Sequence, residues 1–335
     1  MDTTARAFAR TGGYLMKRIL LKIFAVCAYW MGVDALFYKL NKPAKRIVTF
    51  HNVLPDEIFV GNTANGVSCS ASAFRLIVRE LRKRWKFSTD LFDAKTLTIT
   101  FDDGYLNQYE VAAKILKEEG EIPAVLFASG DVTDGKTLVI DQILHWVSYA
   151  PKLVLRQLGY ETAHDAWVKD LWFQFLADSK ERGRGLLKRL DALCPYDQIL
   201  TALSPEYRRL RLGGITKEQL DDLRRRGWVI GWHTKSHYPL SKLTSAEKRD
   251  EIAPPDEFKR APFSFPYGEM QSVDEEAIKI AETCGYPCAV SNTTDPTPWH
   301  GCYFLPRSSL HADRYLLHFE LSGCKYFLKY RKLLP

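Results

Sequence analysis

The chain has 335 residues, of which 46% are hydrophobic and 26% are charged, a composition that is ordinary for a folded protein. The formal net charge is +7, but no Lys/Arg tract is dense enough to indicate a nucleic-acid groove, which argues against nucleic acid as a partner. The seven cysteines are irregularly spaced and include no Cys-X-X-Cys pair. This pattern argues against a disulfide framework and favours reduced thiols in a cytoplasmic protein.

Residues 1–44 are predicted to form a basic, amphipathic helical segment, with the helix itself over residues 16–40. Ile19 to Leu40 is mostly apolar, but three charged residues interrupt it, and its longest uncharged run, Ile23 to Val33, has 11 residues. A membrane span needs about 20. Two interpretations remain open: the helix packs on the rest of the protein, or it lies on a membrane surface, which would make the protein peripheral at the inner face of the membrane.

Seven short apolar segments follow, and helical patterns separate them. Strands that alternate with helices favour βαβ units and a parallel sheet. Residues 136–212 interrupt the alternation and are too long for a plain connection, so we predict a helical insertion there, and a basic helical tail over residues 313–335. The predicted strands are Ile47–His51, Leu97–Phe101, Ala124–Ser129, Val229–His233, Pro262–Pro266, Ala289–Asn292 and Tyr303–Arg307.

Two adjacent carboxylates, Asp102 and Asp103, end the second predicted strand in the sequence Thr-Phe-Asp-Asp-Gly. Parallel barrels place their active sites at the carboxyl ends of the strands. A cation at this position would keep one carboxylate ionised as a ligand and leave the other to accept protons. The same sequence also fits a simple turn at the end of a strand, for which Asp-Gly is common.

Two histidines, His233 and His237, follow the fourth predicted strand in the sequence His-Thr-Lys-Ser-His. Histidines four residues apart lie on one face of a helical turn, so both rings can reach one ion. Together with a carboxylate they predict a metal site that has two histidine ligands, one aspartate ligand and open positions for water and substrate.

The fifth predicted strand runs into Pro266-Tyr267-Gly268. A rigid turn of this kind exposes main-chain N–H groups, which can stabilise an oxyanion. An ordinary connection between a strand and a loop would have the same sequence.

Taken in this order, the motifs TFDDG, HTKSH and FSFPYG resemble those of the polysaccharide deacetylases of carbohydrate esterase family 4, the chitin-deacetylase-like and nodulation-type enzymes. The resemblance covers roughly residues 45–310 apart from most of the insertion. It implies an α/β fold, a distorted seven-stranded (β/α) barrel, which we assign to residues 45–312. It also implies removal of an N-acetyl group from an amino sugar.

The resemblance also implies roles for individual residues. Asp102 matches the general base, and Asp103, His233 and His237 match the three ligands of a divalent metal, usually Zn²⁺. Tyr267 matches the residue whose main-chain N–H helps to bind the oxyanion.

Two departures from the family pattern concern the groups around the base. The family has an arginine two residues before the proline of its third motif, and here that position is Ser264. Arg307, at the end of the last predicted strand, is our candidate to replace it. The late Leu-X-His motif, which supplies the general acid, has no match, since Leu310-His311 and Leu317-His318 lack its spacing.

His51 is the alternative general acid. It ends the first predicted strand in Val-Thr-Phe-His, which is similar to the first strand of permuted family members. A histidine suits the role because its ordinary pKa lies near 6.5. A hydrogen-bonded structural histidine at the barrel mouth is the other interpretation.

The sequence therefore predicts a hydrolase that releases acetate from an acetylated amino-sugar glycan, within a poly- or oligosaccharide or linked to a lipid, in cell-envelope glycan metabolism. Two alternatives remain: a deformylase of a lipid-linked amino sugar, and an inactive glycan-binding barrel. An open site with two histidines and a carboxylate also accepts iron, cobalt or nickel.

Overall fold

The computed structural model describes residues 19–42, 44–59, 68–149, 180–268, 271–292, 304–310 and 312–334. Within them the chain alternates between short strands and helices. The strands are β1 Arg46–Phe50, β2 Asn52–Leu54, β3 Ser68–Ser70, β4 Lys86–Phe87, β5 Thr96–Asp103, β6 Val125–Ala128, β7 Val229–Trp232, β8 Phe263–Ser264, β9 Ala289–Ser291, β10 Phe304–Pro306 and β11 Ser308–Ser309.

A parallel sheet forms the centre of the protein. Its strands follow the order β10-β9-β8-β7-β6-β5-β1-β11, with β4 also paired to β5, while β2 and β3 form a separate pair. β10 and β11 are separated in the chain by Arg307 alone, yet β10 pairs with β9 and β11 pairs with β1. One continuous segment thus joins both edges and nearly closes the sheet into a barrel. The predicted α/β barrel is confirmed: a strand lies at each of the seven predicted positions, and β11 is an eighth strand in the order.

The barrel interior is narrow and filled by side chains from alternate strand positions. Phe127 on β6 lies so close to β7 that a Cβ on Gly231 would be 2.6 Å from its ring, so a larger residue cannot stand at position 231. Other strand positions, such as Phe101 and Leu126, belong to a larger apolar core that includes helical residues. The interior apolar cluster consists of Ile47, Leu91, Val125, Phe127, Cys288 and Val290.

Helices surround the barrel. They are α1 Ile19–Trp30, α2 Val33–Leu40, α3 Ala71–Arg82, α4 Ala113–Glu118, α5 Gly130–Thr133, α6 Val139–Tyr149, α7 Lys180–Leu193, α8 Tyr196–Thr201, α9 Pro205–Tyr207, α10 Lys217–Arg225, α11 Ser245–Ile252, α12 Glu275–Thr283, α13 Arg314–Leu321 and α14 Cys324–Tyr330. Short π-helical turns cover Gln108–Ala112 and Arg208–Leu212. Of the predicted insertion, the described parts are largely helical, from α6 to the second π-helical turn; residues 150–179 lie outside the described part.

The single helix predicted over residues 16–40 is two helices in the structure, where it is described from residue 19. α1 and α2 meet at an angle of 79°. The break falls at Gly32, whose φ of 72° places it in the left-handed region, a conformation that ends helices. Among the described residues, no single helix is long and apolar enough to cross a membrane, although this bent pair passes the same test as a unit.

Candidate active site

The predicted chemical residues come together at the carboxyl end of the barrel. Asp103 is the last residue of β5 and is in register with Ala128 of β6. The main-chain N–H of His233, which follows β7, donates to the carbonyl oxygen of the same Ala128 at 2.9 Å. Asp103 and His233 therefore flank the end of one strand, β6, from its two sides.

Asp103, His233 and His237 offer one ligand atom each, and these atoms all lie within 4.8 Å of one another. The Asp103 Oδ1 atom is 3.6 Å from His233 Nε2 and 3.5 Å from His237 Nε2. Ligands held about 2.1 Å from one zinc ion at near-tetrahedral angles would be roughly 3.4 Å apart. The donor spacing thus fits one divalent ion.

The hydrogen bonds around these donors also fit a cation. His233 Nδ1 donates to the main-chain oxygen of Ser264 at 2.7 Å, so Nδ1 carries the proton and Nε2 presents a lone pair toward Asp103. Both His233 Nε2 and Asp103 Oδ1 are buried without a hydrogen-bond partner in the described part of the chain. Buried polar atoms normally have partners, and a metal ion would be a partner for both.

The pKa shifts at these donors follow from their burial. Burial, then the adjacent Asp102 charge, raises the pKa of Asp103 well above its ordinary value. Burial lowers the pKa of His233, although the Asp102 charge opposes this shift. Burial is also the largest cause that lowers the pKa of His237 well below its usual range. The histidines are therefore neutral, as metal ligands must be, and a bound cation would hold Asp103 ionised.

The main chain at the site is strained. Asp103, Thr234, His237 and Tyr267 all have φ values between 57° and 83°, a region that residues other than glycine rarely adopt. Such conformations cost about 1–3 kcal/mol each and persist where the surrounding structure imposes them. Here they occur at the turns that follow β5, β7 and β8, and they direct these residues to the barrel mouth. His237 is held further by its main-chain N–H, which donates to Thr234 Oγ1 at 3.2 Å.

Asp102 makes a two-pronged ion pair with Arg307 inside the barrel. Arg307 Nη1 lies 2.7 Å from Asp102 Oδ1, and Nη2 lies 2.6 Å from Oδ2. Both side chains are inaccessible to solvent. Burial, the largest single effect, would raise the pKa of Asp102, but the charge and hydrogen bonds of Arg307, together with the nearby His233 and His51, hold the pKa below its ordinary value. Asp102 is therefore ionised and held in one orientation, and its pKa is shifted in the opposite direction from that of its neighbour Asp103.

Arg307 reaches Asp102 from within the barrel, and the residues around it use its remaining N–H groups. It donates to Thr100 Oγ1 at 3.1 Å, to Ser264 Oγ at 3.0 Å and to Asn292 Oδ1 at 2.8 Å. Ser264 stands where the family pattern has an arginine, and here its hydroxyl accepts a hydrogen bond from Arg307, which lies between β10 and β11.

His51 lies on the other side of Asp102, with its Nε2 atom 3.7 Å from Asp102 Oδ2 and its side chain 15% exposed. Burial lowers the pKa of His51 to about 4, although the Asp102 charge opposes the shift. A buried amide, Gln108 Nε2, donates to the main-chain oxygens of both His51 and Asp102. Our sequence analysis missed Gln108, because a glutamine in an amphipathic helical pattern gives no signal of its own.

Tyr267 packs beside the proposed ligands. Its ring centroid is 4.7 Å from that of His237, and its hydroxyl donates to the main-chain oxygen of His237 at 3.1 Å. The structure thus places Tyr267 at the site, while the oxyanion role of its main-chain N–H remains a prediction.

A second buried ion pair lies next to the site and comes from the insertion. Arg211 Nη1 donates to Asp141 Oδ2 at 3.2 Å, and the Tyr105 hydroxyl donates to the same carboxylate. Asp141 is close enough to contribute to the raised pKa of Asp103. The sequence analysis missed this pair, because its members are 70 residues apart in segments without a recognisable motif.

Of the two late histidines, His318 lies away from the described site. His318 Nδ1 is 3.0 Å from the Tyr38 hydroxyl, and its Nε2 atom is 3.8 Å from Glu80, among the helices beside the barrel. His311 lies outside the described residues.

No family model matches the sequence, and no curated protein matches it. Among solved structures, the deacetylase PplD of Streptococcus pyogenes, in complex with acetate, is similar with a TM-score of 0.48 and 14% identity over 81% of this chain and 93% of that one. IcaB from Ammonifex degensii is similar with a TM-score of 0.49 and 16% identity, over 84% of this chain and 96% of that one. A polysaccharide deacetylase from Bacillus cereus is similar with a TM-score of 0.47 and 12% identity, over 83% of this chain and 68% of that one. At these identities the similarity concerns the fold.

Proposed function

We propose that the protein is a metal-dependent hydrolase that removes the N-acetyl group from an amino sugar of a poly- or oligosaccharide or a lipid-linked glycan. The observation that carries the proposal is the convergence of three buried donor atoms, from Asp103, His233 and His237, directly beside an ionised Asp102 that an arginine holds in place. The motif resemblance supplies the substrate class.

The divalent ion that we assign to Asp103, His233 and His237 would, when bound, polarise the acetamide carbonyl and make a water molecule more acidic. Zinc is our choice, since an aspartate and two histidines are ligands that zinc commonly uses. In this proposal Asp102 accepts the proton of the attacking water. Its depressed pKa keeps the carboxylate ionised, and Arg307 keeps both oxygens in a fixed position, so that the base is ready before the substrate binds.

His51 then protonates the leaving nitrogen. Its low pKa makes the ring neutral in the resting enzyme, so it must first gain a proton during the reaction. The separation of 3.7 Å between His51 and Asp102 supports a transfer from the carboxylate to the ring once the carboxylate has accepted the proton of water. The His51 side chain is partly exposed whereas Asp102 is not, which suits a group that must reach the substrate.

The oxyanion needs a second donor. We assign this role to the main-chain N–H of Tyr267, by resemblance, and we assign the Tyr267 hydroxyl to fixing the loop that carries His237. We assign a positioning role to the described network around Arg307, since its hydrogen bonds hold Asp102 in place.

The test is to load the purified protein with zinc and to assay release of acetate from N-acetylated oligosaccharides, with release of formate from the N-formyl analogues measured in parallel. We expect acetate to predominate and His233→Ala to lose both the metal and the activity. A matched control, Asp134→Ala, changes an exposed acidic residue and should retain both. Formate without acetate would instead establish the deformylase, and metal binding and glycan binding without either product would establish an inactive barrel.

A further inference from the structure

A contiguous pair of helices, α1 and α2, exposes large apolar side chains to solvent. Trp30 and Met31 at the bend are 73% and 76% exposed. Scattered apolar residues on a surface need no explanation, whereas a patch of them marks an interaction site. The exposed members of the patch are Ile19, Leu20, Ile23, Phe24, Trp30, Met31, Leu36 and Leu40, and we call this set the apolar face.

The other side of α1 is firmly packed, so the apolar face is held in a fixed conformation. Ala25 and Ala28 form a buried cluster with Phe319 of α13 and Cys324 of α14. Tyr29 lies edge-on to Tyr315, with their ring centroids 5.3 Å apart. Because one side of α1 is packed in this way while Trp30 and Met31 are largely exposed, the exposure is built into the helix pair and does not result from its being poorly packed.

Basic residues are concentrated in the parts of the sequence that contain or adjoin the apolar face. The first 45 residues contain eight lysines and arginines but only two acidic residues, and residues 321–335 contain four basic residues and no acidic one. The C-terminal helix α14 packs beside α2. This helix and the segment after it expose two leucines, Leu328 and Leu333, next in sequence to the exposed basic residues Lys329, Arg331 and Lys332. Juxtamembrane basic groups favour binding to an anionic lipid surface.

The shape of the pair suits a membrane surface better than a membrane span. The two helices meet at 79°, and their most exposed residues, Trp30 and Met31, lie at the bend. Tryptophan is favoured at the boundary between headgroups and acyl chains. An apolar face of this kind, flanked by lysine and arginine, is the pattern of helices that lie in the plane of the interface.

We propose that the apolar face of α1 and α2 docks the protein onto a bilayer that contains anionic lipids, with Trp30 and Met31 inserted at the boundary of the acyl chains. Near the start of α1 the side chain of Lys22 is 2.7 Å from Asp313, and at the end of α2 the main-chain oxygen of Asn41 accepts from Arg46 at the amino end of β1. The helix pair therefore runs beside the barrel, and docking brings this side of the protein to the membrane.

The experiment is flotation of the full-length protein with vesicles of phosphatidylglycerol and phosphatidylethanolamine, compared with vesicles of phosphatidylcholine alone. We expect binding to the anionic vesicles, partial release by high salt, and a partition coefficient at least about tenfold lower for Trp30→Ser/Met31→Ser. The matched control is Leu76→Ser/Phe92→Ser, which removes two apolar side chains with 57% and 53% exposure elsewhere, and it should bind like the wild type.

Equal binding by the wild type and the Trp30→Ser/Met31→Ser variant would overturn the proposal, as would the absence of wild-type binding. A wild-type dimer that the same variant converts to a monomer, without any vesicle binding, would show that a second copy covers the apolar face. Neither readout depends on catalysis, so the test stands apart from that of the proposed deacetylase activity.

Discussion

At the barrel mouth, Asp103 Oδ1 and His233 Nε2 are buried without a hydrogen-bond partner among the described residues, whereas on α1 and α2 the side chains of Trp30 and Met31 are largely exposed. A buried polar atom without a partner costs about 1–3 kcal/mol, and apolar surface left in water forgoes roughly 25 cal/mol per Å². These opposite chemistries underlie the two ligands that we propose, a cation at the first region and a lipid surface at the second.

The two regions also differ in how the chain holds them. The mouth is fixed by a buried network, in which Arg307 alone bonds to several side chains, and by strained main chain. The helix pair is fixed by apolar packing on α13 and α14. If they are separate functional devices, a change in one should leave the other's ligand binding intact, and the following variants test this separation.

Asp102→Asn should have the largest effect. An amide cannot accept the proton of the attacking water, and loss of a general base typically lowers turnover about 10²–10⁴-fold. The metal content should stay near that of the wild type, because Asp102 is not one of the three ligands, and vesicle binding should not change. Metal analysis beside the acetate assay checks both points; loss of metal would mean that Asp102 and Asp103 have exchanged roles.

Arg307→Met should lower the free energy of unfolding by about 3–5 kcal/mol, because it leaves the buried Asp102 charge without its partner. Urea denaturation measures this change. Arg307→Lys keeps the charge but cannot make the two-pronged contact, so it should lower the free energy of unfolding by less than Arg307→Met does. The double variant Asp102→Asn/Arg307→Met removes both charges and should be more stable than Arg307→Met alone; equal losses would show that the ion pair does not carry the effect.

The mouth could be predicted from sequence where its residues stand in local motifs. Asp102, Asp103, His233 and His237 each follow a strand that hydrophobic pattern reveals, and parallel strands gather their carboxyl ends at one place. Arg307 could be named only as a candidate, because its link to Asp102 spans 205 residues and depends on how the last strand closes the barrel.

Other features depended on three-dimensional packing. Gln108 and the Asp141–Arg211 pair stand in no recognisable motif, and their contacts with His51 and with each other join segments that are 57 and 70 residues apart. Gly32 was visible, but an isolated glycine within a helical pattern is often tolerated, and only the tertiary structure shows that the helix breaks there. The exposure of the apolar face was likewise undecided, because an amphipathic pattern does not say whether protein or lipid covers it.

His145→Gln should reduce the loss of stability in acid. Burial lowers the pKa of His145 to about 3, compared with about 6.5 in the unfolded chain. Below pH 6.5 the unfolded state binds a proton that the folded state does not, so stability is full above pH 6.5 and falls as the pH drops toward 3. At pH 5 this residue should cost roughly 2 kcal/mol. Glutamine does not titrate, so in His145→Gln the difference in unfolding free energy between pH 7 and pH 5 should shrink by that amount. An unchanged difference would show that the lowered pKa of His145 does not cause the loss of stability in acid.

The most local effect is expected at Asn41, where the helix pair meets the barrel. Its side chain donates to the main-chain oxygen of Ser322 and accepts from the main-chain N–H of Leu334, both at 2.8 Å, and its main-chain oxygen accepts from Arg46 at the start of β1.

Asn41→Ala removes only the two side-chain bonds and should cost about 1–3 kcal/mol. Because these bonds join α2 to the C-terminal segment and not to the strands, hydrogen exchange should accelerate in α2 and α14 and stay slow in β5 and β6. Metal content and acetate release should be unchanged, while vesicle binding should weaken as the apolar face loses its fixed shape. Faster exchange throughout the barrel would show instead that the helix pair and the barrel unfold as one unit, and that the membrane-docking surface is not separable from the catalytic fold.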